Sequence, residues 1–293
     1  MKIVLGMPAF NEGEKIEGII NEIKNLVDDI IVCNDGSTDS TGIIAQKMGA
    51  IVINHKKNLG YGSAINSIFS KAREMEADIL ITFDADGQHR SKDIQSVIQP
   101  IANGEADIVI GSRFLENEIE MPRYRKFGIK TITSLANISS EIKLSDSQSG
   151  FRAYNHKSLS EIFLTEKGMG ISTEILIKAN RKKLRIKEVP IKILYQGKTS
   201  THNPISQGVS VILSTTKFVS TEHPLSFYGI PGLVLLVVGL IFSGWTIQYF
   251  TEYGVFNPIL ALVAIGLTLC GLLCALTSII LFSLVNIIRE HKE

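Results

Sequence analysis

Residues 1–120 alternate short runs of β-branched and other apolar residues with longer amphipathic stretches. Each apolar run is followed by polar, turn-prone residues and then by apolar positions at helical spacing. This alternation predicts an α/β domain with a largely parallel sheet and helices on both of its faces. The predicted strands are 2–5, 29–33, 50–53, 78–83 and 107–110.

The C-terminal part of the chain carries two long segments without a charged side chain, 224–251 and 253–288. A helix needs about 20 predominantly apolar residues to cross a bilayer, and both segments exceed that length. We therefore predict a hairpin of two transmembrane helices at 224–288. A buried hairpin of core helices is the alternative, although apolar runs of this length are rare in soluble cores.

Two crossings place both ends of a chain on the same side of the membrane. Lys and Arg residues cluster before the first predicted helix and directly after the second, so the positive-inside rule assigns that side to the cytoplasm. The predicted location is therefore the cell membrane, with a cytoplasmic domain at 1–204 and a cytoplasmic tail at 289–293.

Residues 205–223 connect these two regions and carry apolar side chains at helical spacing. The pattern predicts a juxtamembrane amphipathic helix. Such a helix either lies in the membrane interface or packs as an ordinary core helix, and the sequence leaves both interpretations open.

The formal net charge of +1 argues against nucleic acid as a partner, because nucleic-acid-binding domains are usually strongly basic. The charge is unevenly distributed: residues 1–120 contain 11 Lys or Arg and 19 Asp or Glu, whereas 121–223 contain 17 and 7. The three cysteines, Cys33, Cys270 and Cys274, form neither a disulfide framework nor a zinc-binding pattern. The basic middle segment indicates either an anionic ligand or contact with anionic lipid headgroups.

The first candidate for chemistry is the segment after the fourth predicted strand, because ligands of open α/β sheets bind beyond the carboxyl ends of the strands. Asp84 and Asp86 lie there, one residue apart, so both carboxylates can turn toward one hard cation. Carboxylate oxygens are the ligands that Mg²⁺ and Mn²⁺ prefer, and such a cation neutralises a departing diphosphate. The alternative is a solvated turn rich in Asp and Gly.

The second candidate is the segment 34–41, which follows the second predicted strand. Asp39 or Ser40 is expected to cap a helix there, as in any fold. Asp35 lies where its carboxylate can accept hydrogen bonds from a nucleobase or a ribose. This segment therefore indicates a nucleotide pocket at the same edge of the sheet.

Six short motifs occur in a fixed order along the chain: Pro8-Ala9-Phe10-Asn11-Glu12, Asn34-Asp35-Gly36-Ser37-Thr38-Asp39, Asn58-Leu59-Gly60-Tyr61-Gly62, Asp84-Ala85-Asp86-Gly87-Gln88, Gly111-Ser112-Arg113 and Asp146-Ser147-Gln148-Ser149-Gly150-Phe151-Arg152. In these motifs the chain resembles family 2 glycosyltransferases of the GT-A fold, which is a Rossmann-like, mostly parallel sheet. It looks most like the dolichyl-phosphate mannose synthase group, and its C-terminal helices resemble those of archaeal members. The resemblance covers roughly residues 2–225.

This resemblance implies an inverting transfer of a single sugar from a nucleotide-sugar to dolichyl or another polyprenyl phosphate, with Mg²⁺ or Mn²⁺ as cofactor. GDP-mannose is the expected donor. UDP-glucose and UDP-N-acetylglucosamine are the alternatives, because discrimination between bases and hydroxyl groups rests on a few pocket contacts. The lipid bilayer is the expected surface on which the acceptor is met, and oligomeric state and lipid length stay open.

The resemblance also assigns residues. The expected ligands of metal and diphosphate are Asp84, Asp86 and Gln88, and the expected nucleotide-sugar pocket comprises Pro8, Asn11, Glu12, Asp35, Asp84 and Asp86. For the acceptor phosphate the resemblance implies Arg113 and a second arginine, for which Arg125 is chosen over its neighbours Arg123 and Lys126. Arg152 and Lys198 are added to the expected acceptor-phosphate site as cations of the basic middle segment. Asp86 and Arg113 are the expected catalytic residues. Asn34 is a departure, since relatives often have a second Asp at this position, and it weakens the expected base contact.

The chemistry implied by the resemblance agrees with the charge distribution. A polyprenyl phosphate is anionic near neutral pH, because the second pKa of a phosphate monoester is about 6. Its oxygen can therefore attack the sugar without a general base, and the site needs cations, of which Arg is suited to bidentate phosphate binding.

Glu174 is expected to be a first-turn acid stabilised by the helix dipole, in preference to a catalytic group.

Two further functions compete with this one. A processive polysaccharide synthase of the same fold is expected to carry a Gln-x-x-Arg-Trp motif, but the single tryptophan here, Trp245, follows Gly244 inside a predicted membrane helix. A non-catalytic membrane scaffold is the other alternative, and the intact pair of Asp84 and Asp86 argues against it.

Overall fold

The chain is described by a computed structural model that covers residues 1–115, 123–138, 143–193, 216, 220 and 224–290, without the side chains at 123–125, 127, 135, 136, 138 and 288–290. It divides into two units, Met1–Thr215 and Thr216–Glu293. The predicted amphipathic helix at 205–223 lies outside the described residues except for Thr216 and Ser220.

The first unit is an α/β domain. In its described residues the strands are β1 (Ile3–Ala9), β2 (Asp29–Asn34), β3 (Ile51–Asn54), β4 (Ile79–Thr82), β5 (Ile108–Ser112), β6 (Arg152–Asn155) and β7 (Ile186–Pro190). The helices are α1 (Ile16–Ile23), α2 (Thr41–Lys47), α3 (Tyr61–Glu74), α4 (Ile94–Ala102), α5 (Arg123–Ile138), α6 (His156–Glu161) and α7 (Ile171–Arg181).

The seven described strands form one sheet in the order β3-β2-β1-β4-β6-β5-β7. Neighbouring strands pair in parallel except β6, which is antiparallel to both β4 and β5. The predicted mostly parallel sheet is therefore confirmed, and all five predicted strands are present. Strands β6 and β7 were not predicted, and β1 extends through Ala9, so that Pro8 lies within the strand instead of after it.

Helices cover both faces of this sheet, as predicted, because the side chains of its central strands are apolar on both sides. In β1, Leu5 and Met7 pack with α1 and α4, whereas Val4 packs on the opposite face with α3. All three side chains are fully buried. This three-layer arrangement fixes β1 and β4 at the centre of the domain and brings the carboxyl ends of β1, β2, β4 and β5 to the same edge of the sheet.

The start of α3 packs directly against the backbone of residues 166–168. A Cβ at Gly62 would lie 2.6 Å from the carbonyl oxygens of both Glu166 and Gly168. Gly60, the residue immediately before α3, has φ of 98°, which residues with a side chain rarely adopt. The two glycines therefore serve close backbone packing between α3 and this loop.

We expect Gly62→Ala to lower the free energy of unfolding by about 1–3 kcal/mol, because backbone carbonyls cannot move aside as a flexible side chain does. Gly18→Ala is the matched control, since nothing lies within 4 Å of a Cβ at that exposed position in α1. The control is expected to stabilise the protein by about 0.5–1 kcal/mol. Both changes in stability are measured by thermal melting of the purified variants in detergent, monitored by circular dichroism. Equal melting temperatures of the two variants would contradict the packing argument.

At the opposite edge of the sheet, Asp107 joins β5, β6 and β7. It accepts hydrogen bonds from the backbone N–H of Arg185 at 2.8 Å, from the guanidinium of Arg185 and from Asn155 Nδ2 at 2.9 Å. Burial alone would raise the pKa of Asp107, but these hydrogen bonds outweigh it and lower the pKa to about 2. The ionised carboxylate is therefore bound more strongly in the folded chain than in the unfolded one.

Because the folded-state pKa lies below the usual value of 3.8, Asp107 stabilises the fold above about pH 4 and loses this effect as the pH falls toward 2. We expect Asp107→Asn to reduce the free energy of unfolding at pH 7 by about 1–2 kcal/mol, a value discounted for the exposure of Arg185. The difference from the wild type should shrink between pH 4 and pH 2 in thermal melts. Glu105→Gln is the control, because it removes an exposed ion pair with Lys187 and should leave the melting temperature unchanged. A fall in melting temperature as large as that of Asp107→Asn would refute the specific stabilising role of Asp107.

The second unit contains two long apolar helices, α8 (Ile230–Tyr253) and α9 (Pro258–Glu290), and a π-helical turn at Leu225–Gly229 precedes α8. Two segments, Leu225–Tyr253 and Pro258–Ile287, are long and apolar enough to cross a membrane, with mean hydropathy of 2.3 and 2.7. They coincide with the predicted hairpin. Only 11% of the most apolar part of each segment is buried within the chain, which contradicts the alternative of a buried core hairpin.

The hairpin packs through small residues. A Cβ at Gly232 would lie 3.0 Å from the backbone nitrogen of Ala275, and one at Gly271 would lie 2.6 Å from that of Leu236. The connection is defined by Gly254, which ends α8 with φ of 66°, and by Asn257, whose Oδ1 accepts hydrogen bonds from the first turn of α9. Asn257 thus caps the start of α9.

Candidate active site

The loops after β1 and β2 are hydrogen-bonded to each other. Asn11 has φ of 56°, in the left-handed region that Asn adopts more readily than most residues. Its Oδ1 accepts a hydrogen bond from the backbone N–H of Thr38 at 2.9 Å, and its own N–H donates to Ser37 Oγ at 3.0 Å. The N–H of Glu12 donates to Thr41 Oγ1 at 2.9 Å. Asn11 and Glu12 are therefore held at the carboxyl edge of the sheet.

The acid that caps α2 is Asp39. Its Oδ1 accepts the backbone N–H of Thr41 at 3.0 Å, while its Oδ2 accepts that of Gly13 at 2.9 Å. Ser40 immediately precedes the helix but makes no capping hydrogen bond with its side chain. Of the two capping residues that the sequence offers, the structure uses Asp39.

Asp35 is 4% exposed and makes several hydrogen bonds within the chain. Its Oδ1 accepts from His55 Nδ1 at 2.6 Å and from the backbone N–H of Leu59 at 2.9 Å, and its Oδ2 accepts from the N–H of Gly60 at 2.9 Å. The carboxylate thus fixes the turn that leads into α3. A carboxylate has about four acceptor positions, and these bonds use two on Oδ1 and one on Oδ2.

Asp84 and Asp86 follow β4 as predicted, and both are partly exposed. Asp84 accepts hydrogen bonds from the Tyr61 hydroxyl at 3.1 Å and from His89 Nε2 at 3.2 Å. Asp86 accepts from the backbone N–H and the side-chain amide of Gln88, at 2.9 and 2.6 Å. Gln88, expected as a metal ligand, therefore supports Asp86 through its amide nitrogen in this structure.

The two carboxylates have pKa values shifted in opposite directions. Burial raises the pKa of Asp86 to about 6, with further contributions from the negative charges of Asp84 and Glu12. Burial would also raise the pKa of Asp84, but the hydrogen bond and charge of His89, the Tyr61 hydroxyl and the charge of Arg113 lower it overall. Three carboxylates and one arginine therefore act on each other electrostatically within one small region.

The donor set in this region fits a divalent cation. Burial is the main cause of the raised pKa of Asp86, and the negative charges of Asp84 and Glu12 add to it, so a cation beside this carboxylate would favour its ionised form. Carboxylate oxygens suit Mg²⁺ and Mn²⁺. Within the described part of the chain, no three His, Cys, Asp or Glu side chains converge into a complete metal site. Asp84 and Asp86 would therefore hold the ion together with oxygens from a phosphorylated ligand, which is the usual arrangement for Mg²⁺.

Arg113 follows β5 and forms a buried ion pair with Asp146. Its Nε and Nη2 atoms donate to the two carboxylate oxygens at 2.6 and 2.7 Å, and Asp146 is fully buried. Asp146 is held in turn through its backbone N–H, which donates to Glu188 Oε1 at 2.9 Å. The orientation of the Arg113 guanidinium is thus set by strand β7 as well as by its own strand.

Arg152, expected to bind the acceptor phosphate, lies in the interior of the domain and is 1% exposed. Its guanidinium donates to the backbone carbonyls of Ser149 at 2.8 Å, Ser147 at 2.7 Å and Ser172 at 3.2 Å. These bonds satisfy buried carbonyls and brace the segment 147–149. The geometry therefore gives Arg152 a structural role within the domain in place of the expected contact with the acceptor phosphate.

The remaining expected acceptor residues have no described side chain. Arg125 lies in α5, but its side chain is outside the described residues, as is that of Arg123. Lys198 lies wholly outside them. Their assignment to the acceptor phosphate stays a prediction.

Four residues of the site were not singled out in the sequence. Tyr61 and His89 contact Asp84, Asp146 orients Arg113, and His55 contacts Asp35. Tyr61 and Asp146 lie inside the six motifs, and His89 directly follows one of them. Their position in or beside a motif is therefore the sequence signal that could have identified these three residues as part of the site. His55 lies outside every motif.

Glu174 is in the first turn of α7, as expected, and is fully buried. Its carboxylate accepts hydrogen bonds from the backbone N–H groups of Thr165 and Glu166, both at 2.9 Å, and from Lys178 Nζ at 2.7 Å. Burial would raise the pKa of Glu174, but these bonds lower it. Glu174 therefore holds the loop at 165–166, next to the residues that pack against α3. None of these hydrogen bonds connects Glu174 to Asp84 or Asp86.

The site and the fold agree with comparison to known proteins. The family model described as glycosyl transferase family 2 matches residues 5–163, which is more than half of the chain. The chain belongs to glycosyl transferase family 2. The resemblance noted in the six motifs is thereby confirmed.

Particular relatives narrow the comparison. The UDP-N-acetylglucosamine–dolichyl-phosphate N-acetylglucosaminyltransferase of Methanococcus voltae is 36% identical over 234 residues, with 72% of this chain and 91% of the relative covered. The dolichol-phosphate mannosyltransferase of Pyrococcus furiosus is 33% identical over 202 residues, covering 65% and 56%. The structure of glucosyl-3-phosphoglycerate synthase from Mycobacterium tuberculosis, in complex with Mn²⁺, uridine-diphosphate-glucose and phosphoglyceric acid, has a TM-score of 0.59 at 22% identity, covering 75% and 80%. The last likeness confirms the GT-A type of fold.

Proposed function

We propose that this protein transfers a single sugar from a nucleotide-sugar to a polyprenyl phosphate such as dolichyl phosphate, with inversion at the anomeric carbon. The observation that carries the proposal is the shared placement of an acidic pair and an arginine: Asp84 and Asp86 follow β4 and Arg113 follows β5, and the carboxyl ends of these two strands lie at the same edge of the sheet. A donor diphosphate needs an acidic pair to hold its metal ion, and an acceptor phosphate needs the positive charge of an arginine. Relatives named as dolichyl-phosphate sugar transferases support the same reaction.

On the donor side, Asp84 and Asp86 are proposed to hold Mg²⁺ or Mn²⁺, and a solved relative in complex with Mn²⁺ supports a divalent ion. When bound, such an ion supplies charge neutralisation for the leaving nucleoside diphosphate. Gln88 orients Asp86 by two hydrogen bonds. Tyr61 and His89 orient Asp84 in the same way, which leaves the partly exposed sides of both carboxylates for ligands.

The nucleoside is proposed to lie beside Pro8, Asn11, Glu12 and Asp35. Asn11 and Glu12 are held by hydrogen bonds to the loop after β2, so the pocket is built before a ligand arrives. Pre-built pockets bind more tightly because less conformational entropy is lost on binding.

On the acceptor side, Arg113 is proposed to bind the phosphate of the lipid. Its guanidinium is oriented by Asp146, and orientation matters because an arginine binds phosphate through donors in a fixed fork. The acceptor phosphate is anionic at neutral pH and attacks the sugar without help from a general base. Arg125 and Lys198 are proposed as further ligands of this phosphate.

The two apolar helices are proposed to cross the cell membrane and hold the catalytic domain on its cytoplasmic face, with both chain ends on that side. Their length and composition support insertion. A polyprenyl phosphate is confined to the bilayer by its chain, so an enzyme that uses it must work at the membrane surface.

Three donors are in competition, GDP-mannose, UDP-N-acetylglucosamine and UDP-glucose, and named relatives favour the first two. GDP-mannose is proposed from the resemblance to mannosyltransferases, and the relative of Pyrococcus furiosus supports it. UDP-N-acetylglucosamine is the second candidate, because the Methanococcus voltae relative that is 36% identical is named for that donor. Both candidates require the same acidic pair and the same acceptor site.

The decisive experiment incubates the purified full chain in detergent with dolichyl phosphate, Mn²⁺ and one labelled donor at a time: GDP-mannose, UDP-N-acetylglucosamine or UDP-glucose. We expect a single lipid-linked monosaccharide from one donor. Thermal melting with GDP or UDP, each with Mn²⁺, identifies the base independently, since a ligand at 100 times its Kd stabilises the fold by about 2.7 kcal/mol. Polymeric product would favour a processive synthase, and neither product nor nucleotide binding would favour a scaffold.

A further inference from the structure

Three polar side chains behind the proposed nucleotide pocket form a continuous hydrogen-bonded line. Asp35 Oδ1 lies 2.6 Å from His55 Nδ1, and His55 Nε2 lies 2.9 Å from Ser67 Oγ. The residues come from the end of β2, the segment after β3 and the middle of α3. The line therefore connects three separate elements that meet at one edge of the sheet.

The hydrogen-bond chemistry selects the tautomer that a neutral imidazole adopts at position 55. The Asp35 carboxylate only accepts hydrogen bonds, so the proton of a neutral His55 belongs on Nδ1, and Nε2 is left to accept from the Ser67 hydroxyl. The side chain of His55 is 10% exposed, which limits competition from water. In this arrangement both ring nitrogens have a partner, and the ring holds Asp35 in one orientation.

Asp35 transmits that orientation to the chain. Its two oxygens accept the backbone N–H groups of Leu59 and Gly60, and the next residue, Tyr61, donates its hydroxyl to Asp84. Within three consecutive residues, the turn thus joins the proposed nucleoside contact to the proposed metal and diphosphate contact. Both belong to the donor half of the site, whereas Arg113 belongs to the acceptor half.

A Ser–His–Asp line also occurs as the nucleophilic triad of hydrolases. That role does not suit this geometry. Ser67 lies in the interior of α3, where backbone N–H groups donate to carbonyls one turn earlier, so the helix offers no pair of donors to stabilise an oxyanion. The hydrogen bonds among Ser67, His55 and Asp35 are instead suited to holding the Asp35 carboxylate in one orientation.

We propose that His55 is a positioning residue for the donor: through Asp35 it fixes the Leu59–Gly60 turn and so prepares the pocket for a nucleoside diphosphate. This inference rests on the function proposed above. Removing the imidazole leaves Asp35 with two backbone donors, from Leu59 and Gly60, and takes away the side-chain donor that holds Oδ1 on the side of β3. The cost falls on donor binding and leaves the acceptor half unaffected.

The test compares three substitutions at one position. His55→Ala removes the donor to Asp35, and we expect the KM of the nucleotide-sugar to rise about 10- to 100-fold, as loss of a hydrogen bond to a buried charge implies. His55→Asn carries an amide N–H close to the position of Nδ1 and should bring the KM back to within about 3-fold of the wild type. His55→Gln carries its amide nearer to Nε2 and should not. The kcat value and the KM of dolichyl phosphate should change less than 3-fold in all three variants.

His156→Ala is the matched control. His156 Nδ1 lies 3.4 Å from the carbonyl oxygen of Ala77, which precedes β4 at the amino end of that strand, whereas Asp35 follows the carboxyl end of β2. It should leave both KM values unchanged. Calorimetric titration of each variant with GDP or UDP in the presence of Mn²⁺ measures donor binding without any transfer reaction. Circular dichroism melts establish that each variant is folded.

Each outcome decides between the alternatives. A donor KM unchanged in His55→Ala, an acceptor KM that rises as much as the donor KM, or a His55→Asn variant as impaired as His55→Ala would overturn the positioning role while leaving the proposed function intact. If the wild type forms no lipid-linked sugar, the proposed function fails, and the Kd ratio between the variants still decides the role of His55. A wild type that binds neither nucleoside diphosphate overturns both.

Discussion

Asp86→Asn is expected to lower turnover of the nucleotide-sugar by about 100- to 1,000-fold. The substitution removes one of two carboxylates proposed to hold the divalent ion, and such an ion contributes several kcal/mol to stabilising charge that develops on a leaving group. The fold should tolerate the change, because burial and the neighbouring charges of Asp84 and Glu12 already make the ionised form of Asp86 costly. We therefore expect the melting temperature of the variant, without ligands, to equal or exceed that of the wild type.

Asp78→Asn provides the control for this prediction. Asp78 lies immediately before β4 and is exposed, so it flanks the same strand as Asp86 at the opposite edge of the sheet. Steady-state assays with Mn²⁺ should give wild-type turnover for the control. An Asp86→Asn enzyme that retains more than a tenth of the wild-type turnover would refute the assignment of the metal to this pair.

Asp146→Ala is expected to lower the free energy of unfolding by about 3–5 kcal/mol, because it leaves the charge of Arg113 without its buried partner. The side chain of Arg113 is only 10% exposed, and both of its bonds to Asp146 are short. The same variant should transfer sugar at least 10-fold more slowly, since the guanidinium loses the orientation proposed for phosphate binding. Glu74→Ala breaks an exposed ion pair with Lys71 and should change neither quantity.

The double substitution Arg113→Met with Asp146→Leu separates stability from activity. Replacing a buried ion pair by apolar side chains of similar volume is often neutral or stabilising. We therefore expect melting close to that of the wild type but no measurable transfer. A double variant that still transfers sugar would exclude Arg113 from the reaction, whatever its effect on folding.

The parts of this molecule that could be predicted from sequence are those set by local pattern. Strands β1 to β5 follow from short β-branched runs, and the helices of the hairpin follow from long segments without charge. Asp84 and Asp86 could be singled out because they lie directly behind a strand, where parallel sheets bind ligands. In each case the signal is contained within about 30 neighbouring residues.

The parts that escaped prediction depend on residues distant in the sequence. Strand β6 is short and contains arginine and asparagine, and it exists because β4 and β5 offer their edges to it. Arg152 has the charge of a phosphate ligand, but its environment of backbone carbonyls becomes known only from packing. The pairing of Arg113 with Asp146, 33 residues later, is of the same kind.

The way the two long helices pack has a consequence for how the enzyme meets its acceptor. Glycines bring α8 and α9 close together, and only 11% of the most apolar window of each segment is buried within the chain, so most residues of these windows are available to hydrocarbon. Once inserted, two such helices do not leave a bilayer at any useful rate. Enzyme and lipid acceptor would then diffuse in the same plane, so their encounter rate would depend on the number of acceptor molecules per unit of membrane area, and dilution of the surrounding water would not affect it.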